Sequence, residues 1–375
     1  MEKHLVLIGA GHAHLTCLKS LRDFTARGHQ VTVIGPDTHH YYSGMGPGML
    51  GQTYRPQDIR FNSQRLAEAG GGRFVQGLVS RVQPHERTLT LASGEQIAYD
   101  VVSFNIGSGI PTGKISIPED AQVFTVKPIE QLLRAQQAIL AQIETKTLDL
   151  VVVGGGPAGL EICGNLWRLI SRHNGRANLT LLAGQRLMSN FPDKVRGLAL
   201  DSLRHRNIRV IEGAHLTEVQ ADRAKLTDGQ DLPFDFLFLA VGVKPPRLFQ
   251  DSGLPAGPEG GLLVNEFLQS VSYPEIFGGG DCIHFQPQPL DKVGVYAVRQ
   301  NPILRDNLLA ALENRDLRPF KPQDTYMLIF NLGDGRGIFA RKNLVFDGRL
   351  AFILKDYIDR RFMRQFQISG ELQEG

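Results

Sequence analysis

Two parts of this chain follow one plan, and that repetition limits what it can fold into more than any other feature. The first part begins with an apolar run, residues 5–8, that enters Gly9-Ala-Gly11-His12-Ala-His14. The second begins with Leu148-Asp-Leu-Val-Val-Val153, apolar but for Asp149, which enters Gly154-Gly-Gly156-Pro-Ala-Gly159. Continuous apolar runs suit buried parallel strands. In each turn the first glycine permits a tight bend, and the second lets backbone approach a pyrophosphate at a helix N-terminus. Each half continues with a second apolar strand (31–34 or 179–182), a hairpin with a glycine turn, and an aromatic-Asp pair, Tyr99-Asp100 or Phe234-Asp235. A glycine, Gly107 or Gly242, stands seven positions after each of those aspartates. The chain therefore reads as α/β, with two Rossmann-like dinucleotide-binding domains. The expected boundaries are 1–110 plus 246–320 for the first domain, 111–245 for the second, inserted in it, and 321–375 for a C-terminal α+β region.

The two turns differ in detail. Gly154, Gly156 and Gly159 complete a GxGxxG between an apolar strand and a helical pattern, so that fingerprint has its required context. In the first turn His14 replaces the third glycine. His12 and His14 have two readings, local packing in the first turn or, for His12, a place beside the pyrophosphate or its ring partner. A ribose-binding acid is expected at the end of each second strand. Gly35 stands there in the first half, with Asp37 two residues late; Ala183 stands there in the second, followed by Arg186. An arginine so placed can accept the 2′-phosphate of NADP. The segment 39–50 carries three glycines and Pro47, and reads as a ligand-covering loop or a surface turn. A helix is expected over residues 15–21 and another over 303–312.

Composition narrows the function classes. A hydrophobic content of 42% and 21% charged residues describe a globular protein with ample core. A net charge of +3 is too small to imply nucleic acid. No run is apolar enough to span a bilayer, and the N-terminus reads as a strand entering a turn rather than a signal peptide. Cys17, Cys163 and Cys282 are far apart, which disfavours a disulfide scaffold or a zinc site and suits a reducing cytoplasm.

Residues 349–366 hold five basic and two acidic residues. Leu350, Leu354, Ile358, Phe362 and Phe366 recur every four residues as one apolar stripe, with Arg360 and Arg364 expected on the other side. Such a helix lies on an anionic membrane, or packs on its own domain or in a homodimer.

Late in the chain, Ile276-Phe-Gly-Gly-Gly280-Asp281 is a short strand ending in glycines and a carboxylate. Together with the two fingerprints it resembles the two-dinucleotide-domain flavoprotein reductases. The resemblance implies that Gly280 and Asp281 bind the ribitol and phosphate of FAD. It also implies that Ala297, Val298 and Arg299, at the start of a helix, face the flavin pyrimidine edge. Nearly the whole chain is similar to the type II NADH dehydrogenases. The strings GAGHAHL (9–15), YYSGMGPGML (41–50), AVRQNP (297–302) and LKDYIDRRFMRQF (354–366) are similar to the NADH-dehydrogenase-like flavoprotein that some bacteria fuse to selenophosphate synthase. A synthase domain is not among these residues.

The resemblance implies an FAD-dependent NAD(P)H dehydrogenase. Hydride passes from nicotinamide to flavin, then electrons go to a quinone or quinone-like acceptor. Glu161, after the second fingerprint, matches a glutamate that lies near flavin and nicotinamide in that family, and is the catalytic candidate. Residues 297–300 depart from the family's Ala-Gln pattern beside the quinone. The alternatives are a thiol, sulfide or selenium-compound oxidoreductase using Cys282 with Cys17, and a flavoprotein partner or redox sensor without fast turnover. The expected location is cytoplasmic, peripheral on the inner face of the cell membrane.

Overall fold

A computed structural model describes residues 1–111, 113 and 115–373. Thr112, Lys114, Glu374 and Gly375, which fall in the expected second domain and C-terminal region, lie outside the described residues. Two five-stranded parallel sheets form the frame. The first has the order Ile276–Gly278, Val101–Phe104, His4–Ile8, Gln30–Gly35, Arg73–Gln76. The second has the order Val123–Thr125, Phe236–Leu239, Leu148–Val153, Ala177–Leu182, Arg209–Ile211. Four strands correspond one to one. Only the first-named edge strand differs. The first sheet takes it from the late Gly-Asp segment, so the chain must leave that sheet, build the second and return.

The repeated aromatic-Asp pair has one structural job in both halves. Tyr99 and Phe234 are buried, which draws the end of each hairpin onto its domain. The aspartate that follows then accepts a hydrogen bond from the start of the first strand. Asp100 Oδ2 takes the His4 amide at 2.7 Å, and Asp235 Oδ2 takes the Asp149 amide at 2.8 Å. A charged acceptor on a strand amide fixes where the first strand begins, and so where the glycine turn emerges.

Two helices differ from expectation. The residues after the first turn form a 3₁₀ turn, His12–His14, and two short helices, Leu15–Lys19 and Arg22–Thr25. The break falls at Ser20, whose hydroxyl bonds back to the Thr16 carbonyl at 2.7 Å, a contact that bends helices. The later helix starts earlier than expected, running Gly294–Leu312 through Pro302. The proline lacks the N–H that would bond to the Val298 carbonyl.

The C-terminal region is an antiparallel sheet, Leu328–Asn331, Gly337–Arg341 and Leu344–Gly348, followed by the helix Arg349–Phe366. The apolar stripe does not lie on one face. Four residues advance a helix by about 400°, so an i+4 row drifts about 40° per step. Leu350 is exposed, Phe362 is half-buried and Phe366 is buried. The face against the protein holds Ala351, Lys355, Asp359, Phe362, Met363 and Phe366. The outward face carries Leu350 (69% exposed), Ile353 (60%) and Tyr357 (56%), then Arg360, Arg361 and Arg364. The arginines thus share the solvent side with apolar residues. Among the described residues no helix is long and apolar enough to cross a membrane.

Candidate functional site

The first turn is clasped by an asparagine. Gly9 has φ +80°, and a Cβ there would lie 2.4 Å from the Asn105 carbonyl oxygen, so only glycine fits. A Cβ on Gly11 would meet Asn105 Oδ1 at 2.3 Å. That Oδ1 accepts from the Ala13 amide (2.9 Å), while Asn105 Nδ2 donates to the Gly279 carbonyl (2.6 Å). One buried side chain therefore ties the first turn to the late Gly-Asp segment. Gln300 completes the clasp, its Oε1 accepting from the Gly280 amide at 2.7 Å. Asp281, next in the chain, receives Lys127 Nζ at 2.7 Å and Ser108 Oγ at 2.8 Å. Burial opposes its ionisation, but Lys127 and Ser108 prevail and hold the carboxyl below its usual range. Asn105, Ser108 and Lys127 belong to this cluster although the sequence motifs did not single them out, and Gln300 comes from the 297–300 stretch that they did.

The two histidines of this turn divide the two readings between them. His14 is fully buried. Its Nδ1 lies 2.6 Å from the Gly9 carbonyl, which can only accept, so Nδ1 carries the proton. Nε2 then accepts from Ser103 Oγ at 2.8 Å. Burial pushes its pKa down to about 4, and it serves as a neutral structural pin. His12 instead meets the rings of His40 (5.7 Å), Tyr42 (4.9 Å) and Phe362 (6.0 Å) edge-on. Burial first, and His40 second, push its pKa down to about 3; burial brings His40 to about 4. Both are neutral at ordinary pH, so Lys127 is the cation beside Asp281.

The segment 39–50 is not an open loop. It forms the strand His39–Tyr41, a 3₁₀ turn Ser43–Met45 and a short helix Gly46–Leu50 with Pro47 in its first turn. That helix is buried between the helices Glu130–Leu140 and Pro157–Arg172. Gln136 Nε2 donates to the carbonyls of Met49 and Leu50. Pro47 therefore sets a packed corner between the two sheets. Asp37 stays on the surface in its own turn, accepting from the His39 amide at 3.3 Å.

The second turn repeats the geometry of the first. Gly154 has φ +134°, with a would-be Cβ 2.2 Å from the Ala240 carbonyl oxygen, and at Gly159 a Cβ would lie 1.8 Å from the Gly154 oxygen. Gly156 caps the helix Pro157–Arg172 and has nothing within 4 Å of where its Cβ would be. The same open space faces Gly107 (φ +67°) and Gly242 (φ +87°). Free helix amides beside open glycines suit a diphosphate. Arg186, expected to read a 2′-phosphate, is paired with Asp193.

Glu161 lies in the second turn of that helix, not the first. Its Oε1 accepts from the Asn331 amide at 2.6 Å. Burial pushes its pKa up to about 6, against the opposing pull of Lys355 and the Asn331 amide. Lys355 comes from the C-terminal helix, donating to the Gly44 carbonyl (2.9 Å) and to Asp359 Oδ2 (2.8 Å). Asp359 Oδ1 accepts from the Tyr42 hydroxyl at 3.1 Å. Tyr42 in turn touches His12. A charged, hydrogen-bonded row thus runs from beside Glu161 to the first turn, under the C-terminal helix.

On the helix Gly294–Leu312, Ala297 is buried close to Gly280 and Val298 is half-buried. Arg299 does not join them. It is exposed and lines an outer groove with Ile303, Arg318 and Phe320. Helical spacing turns its side chain away from the Ala297 and Gln300 face.

A model of the family described as pyridine nucleotide-disulphide oxidoreductase matches residues 3–300. The chain belongs to that family. It is an oxidoreductase, and members of this family use FAD and NAD(P)H. The type II NADH:quinone oxidoreductase of Haemophilus influenzae is 25% identical over 353 residues, covering 80% of this chain and 79% of the relative. The mitochondrial internal alternative NAD(P)H-ubiquinone oxidoreductase A1 of Arabidopsis thaliana is 27% identical over 206 residues, which is 50% of this chain and only 40% of the plant enzyme's length. Among solved structures, NDH2 of Plasmodium falciparum in complex with NADH superposes with a TM-score of 0.82 at 14% identity, covering 99% of this chain and 98% of that one. At that identity the likeness shows the fold.

The family's name includes disulphide chemistry, and the cysteines here do not fit it. Cys17, Cys163 and Cys282 are free and buried. Burial pushes the Cys282 thiol up to about 11 and the Cys17 thiol to about 12, so neither is a thiolate nucleophile at neutral pH. Cys282 Sγ faces the Phe104 and Gly279 carbonyls as a packing residue. The rest of the site fits FAD and nicotinamide. Two glycine turns lead into helical segments, and Lys127 and Ser108 keep Asp281 ionised.

Proposed function

We propose that this chain is an FAD-dependent NAD(P)H dehydrogenase that passes electrons to a quinone or quinone-like acceptor. One observation carries the reading. Both halves carry a glycine turn, and the row of Lys355, Asp359 and Tyr42 runs from near Glu161, beside the second turn, to His12 in the first. FAD, when bound, supplies hydride acceptance from nicotinamide and electron release to an acceptor. The protein supplies position and charge. The first turn and its helix hold diphosphate, Asp281 accepts from ribitol hydroxyls, and Lys127 keeps Asp281 ionised. Gly154, Gly156 and Gly159 hold the nicotinamide dinucleotide. Glu161, at the junction, positions the nicotinamide ring. The buried cysteines speak against the thiol and sulfide alternative.

The outward face of the C-terminal helix supports contact with a lipid-soluble acceptor. Leu350, Ile353 and Tyr357 project beside Arg360, Arg361 and Arg364, a mixture suited to the surface of an anionic membrane. We place the protein on the inner face of the cell membrane. The motif likeness to the flavoproteins fused to selenophosphate synthase is consistent with the same NAD(P)H-oxidising chemistry. The test has two arms. A soluble ubiquinone analogue, added anaerobically to protein reduced by NADH, should restore the oxidised flavin spectrum. Anionic vesicles should retain the wild type and release an Ile353→Glu/Tyr357→Glu variant. Reduced protein that the analogue leaves unchanged rejects the quinone assignment. Equal retention of both proteins rejects the membrane face, and a concentration-dependent dimer lost in the variant assigns that face to a second copy.

A further inference from the structure

The second domain has Ala183 where a ribose-binding acid is expected, yet a carboxylate stands beside it. A carboxylate at that place accepts from the 2′-hydroxyl of NAD and disfavours the 2′-phosphate of NADP. The strand Ala177–Leu182 pairs in parallel with Arg209–Ile211, and Leu182 lies opposite Ile211. The parallel pairing ends there, and the next bridge between the two segments is antiparallel, Gly184 with Ala214. The Ala183 amide donates to the Ile211 carbonyl at 2.8 Å, and the Gly213 amide to the Gly184 carbonyl at 2.7 Å. Ala183 and Glu212 are therefore the residues that directly follow the last parallel pair. Successive strand residues alternate sides, so the residues that follow an in-register pair leave on the same side of the sheet. Glu212 brings a carboxylate to the height at which Ala183 lacks one.

That carboxylate is fixed in place. Its Oε1 accepts from the amide of Leu187, in the loop directly after the second strand, at 2.7 Å. Arg196 Nη2 reaches both of its oxygens, at 3.0 and 2.9 Å. The other cation of this rim, Arg186, is held by Asp193. Each of these two arginines has an acid partner.

We propose that Glu212 is the specificity-determining acid of this site. It selects NADH over NADPH from the third strand, where the usual acid sits at the end of the second. The proposal rests on reading the second turn as the nicotinamide-dinucleotide site.

Calorimetry on the FAD-loaded protein with 5′-AMP and adenosine 2′,5′-bisphosphate measures the discrimination without turnover. NADH and NADPH are compared in parallel as reductants of the bound flavin. Wild type should favour the compounds without a 2′-phosphate. Glu212→Gln keeps an acceptor for the Leu187 amide, removes the charge and frees Arg196. It should move the affinity ratio toward the 2′-phosphate about tenfold or more. Glu212→Gln/Arg196→Ala should lose that gain. A Glu212→Gln ratio within about twofold of wild type, or equal weakening toward both nucleotides, overturns the assignment of Glu212. Wild type that binds neither nucleotide, and whose flavin neither NADH nor NADPH reduces, removes the nicotinamide reading itself.

Discussion

Lys355→Met is expected to destabilise the protein by about 3–5 kcal/mol, the usual loss when one partner of a buried ion pair is removed. Lys355 and Asp359 are one helical turn apart, on the side of the helix that faces the protein. Without the ammonium, Asp359 keeps only the Tyr42 hydroxyl, the Gly44 carbonyl loses its donor, and Glu161 loses the nearby cation. The variant should show a lower urea midpoint and a C-terminal helix that proteases reach sooner. Lys355→Met/Asp359→Asn removes both charges but leaves an acceptor for Tyr42, and should recover most of the loss. A midpoint unchanged in the single variant would mean that the pair does not hold the helix down.

Glu161→Gln should give a folded, FAD-loaded protein whose flavin is reduced by NADH about 100-fold more slowly, the scale expected when reacting atoms are misplaced. A role as a helix cap, worth about 0.3–1 kcal/mol, does not suit a side chain that bonds across to the Asn331 amide. Glutamine keeps an acceptor for that amide, so the variant separates charge from scaffold. The carboxyl titrates near pH 6, pushed up by burial. If the carboxylate is the working form, the wild-type rate falls as pH drops through about 6, because the group takes up a proton. The glutamine variant should lack that step. A wild-type rate and an unchanged pH profile in the variant would remove Glu161 from the reaction.

The fold was legible because glycine leaves a trace in sequence that other residues do not. Gly9 and Gly154 occupy backbone conformations and contacts that a Cβ forbids, and their spacing to the following helix is local. The aromatic-Asp pairs were legible as a repeat, although their shared task, anchoring the first strands, needed the pairing to be seen. The site was less legible because its partners are remote in sequence. Lys127 and Asp281 are 154 residues apart, and Asn105 reaches Gly279 across 174. No window contains both members of either contact. Lys355 and Asp359 were hidden in another way. Charges on an amphipathic helix read as solvent-facing, and here these two lie on the buried face while Leu350 and Ile353 point outward. A ribose acid is expected at the end of the second strand, and Glu212 comes beside it only through the pairing of the second and third strands, one residue past their last parallel pair.

The central claim is that nicotinamide delivers hydride to a flavin held between the two turns. Anaerobic stopped-flow mixing of the FAD-loaded protein with excess NADH tests it most directly, with visible flavin absorbance as the signal. The account predicts rapid, complete bleaching in wild type, slowed in Glu161→Gln. A flavin that stays oxidised in folded, fully loaded wild type with either NADH or NADPH would contradict it.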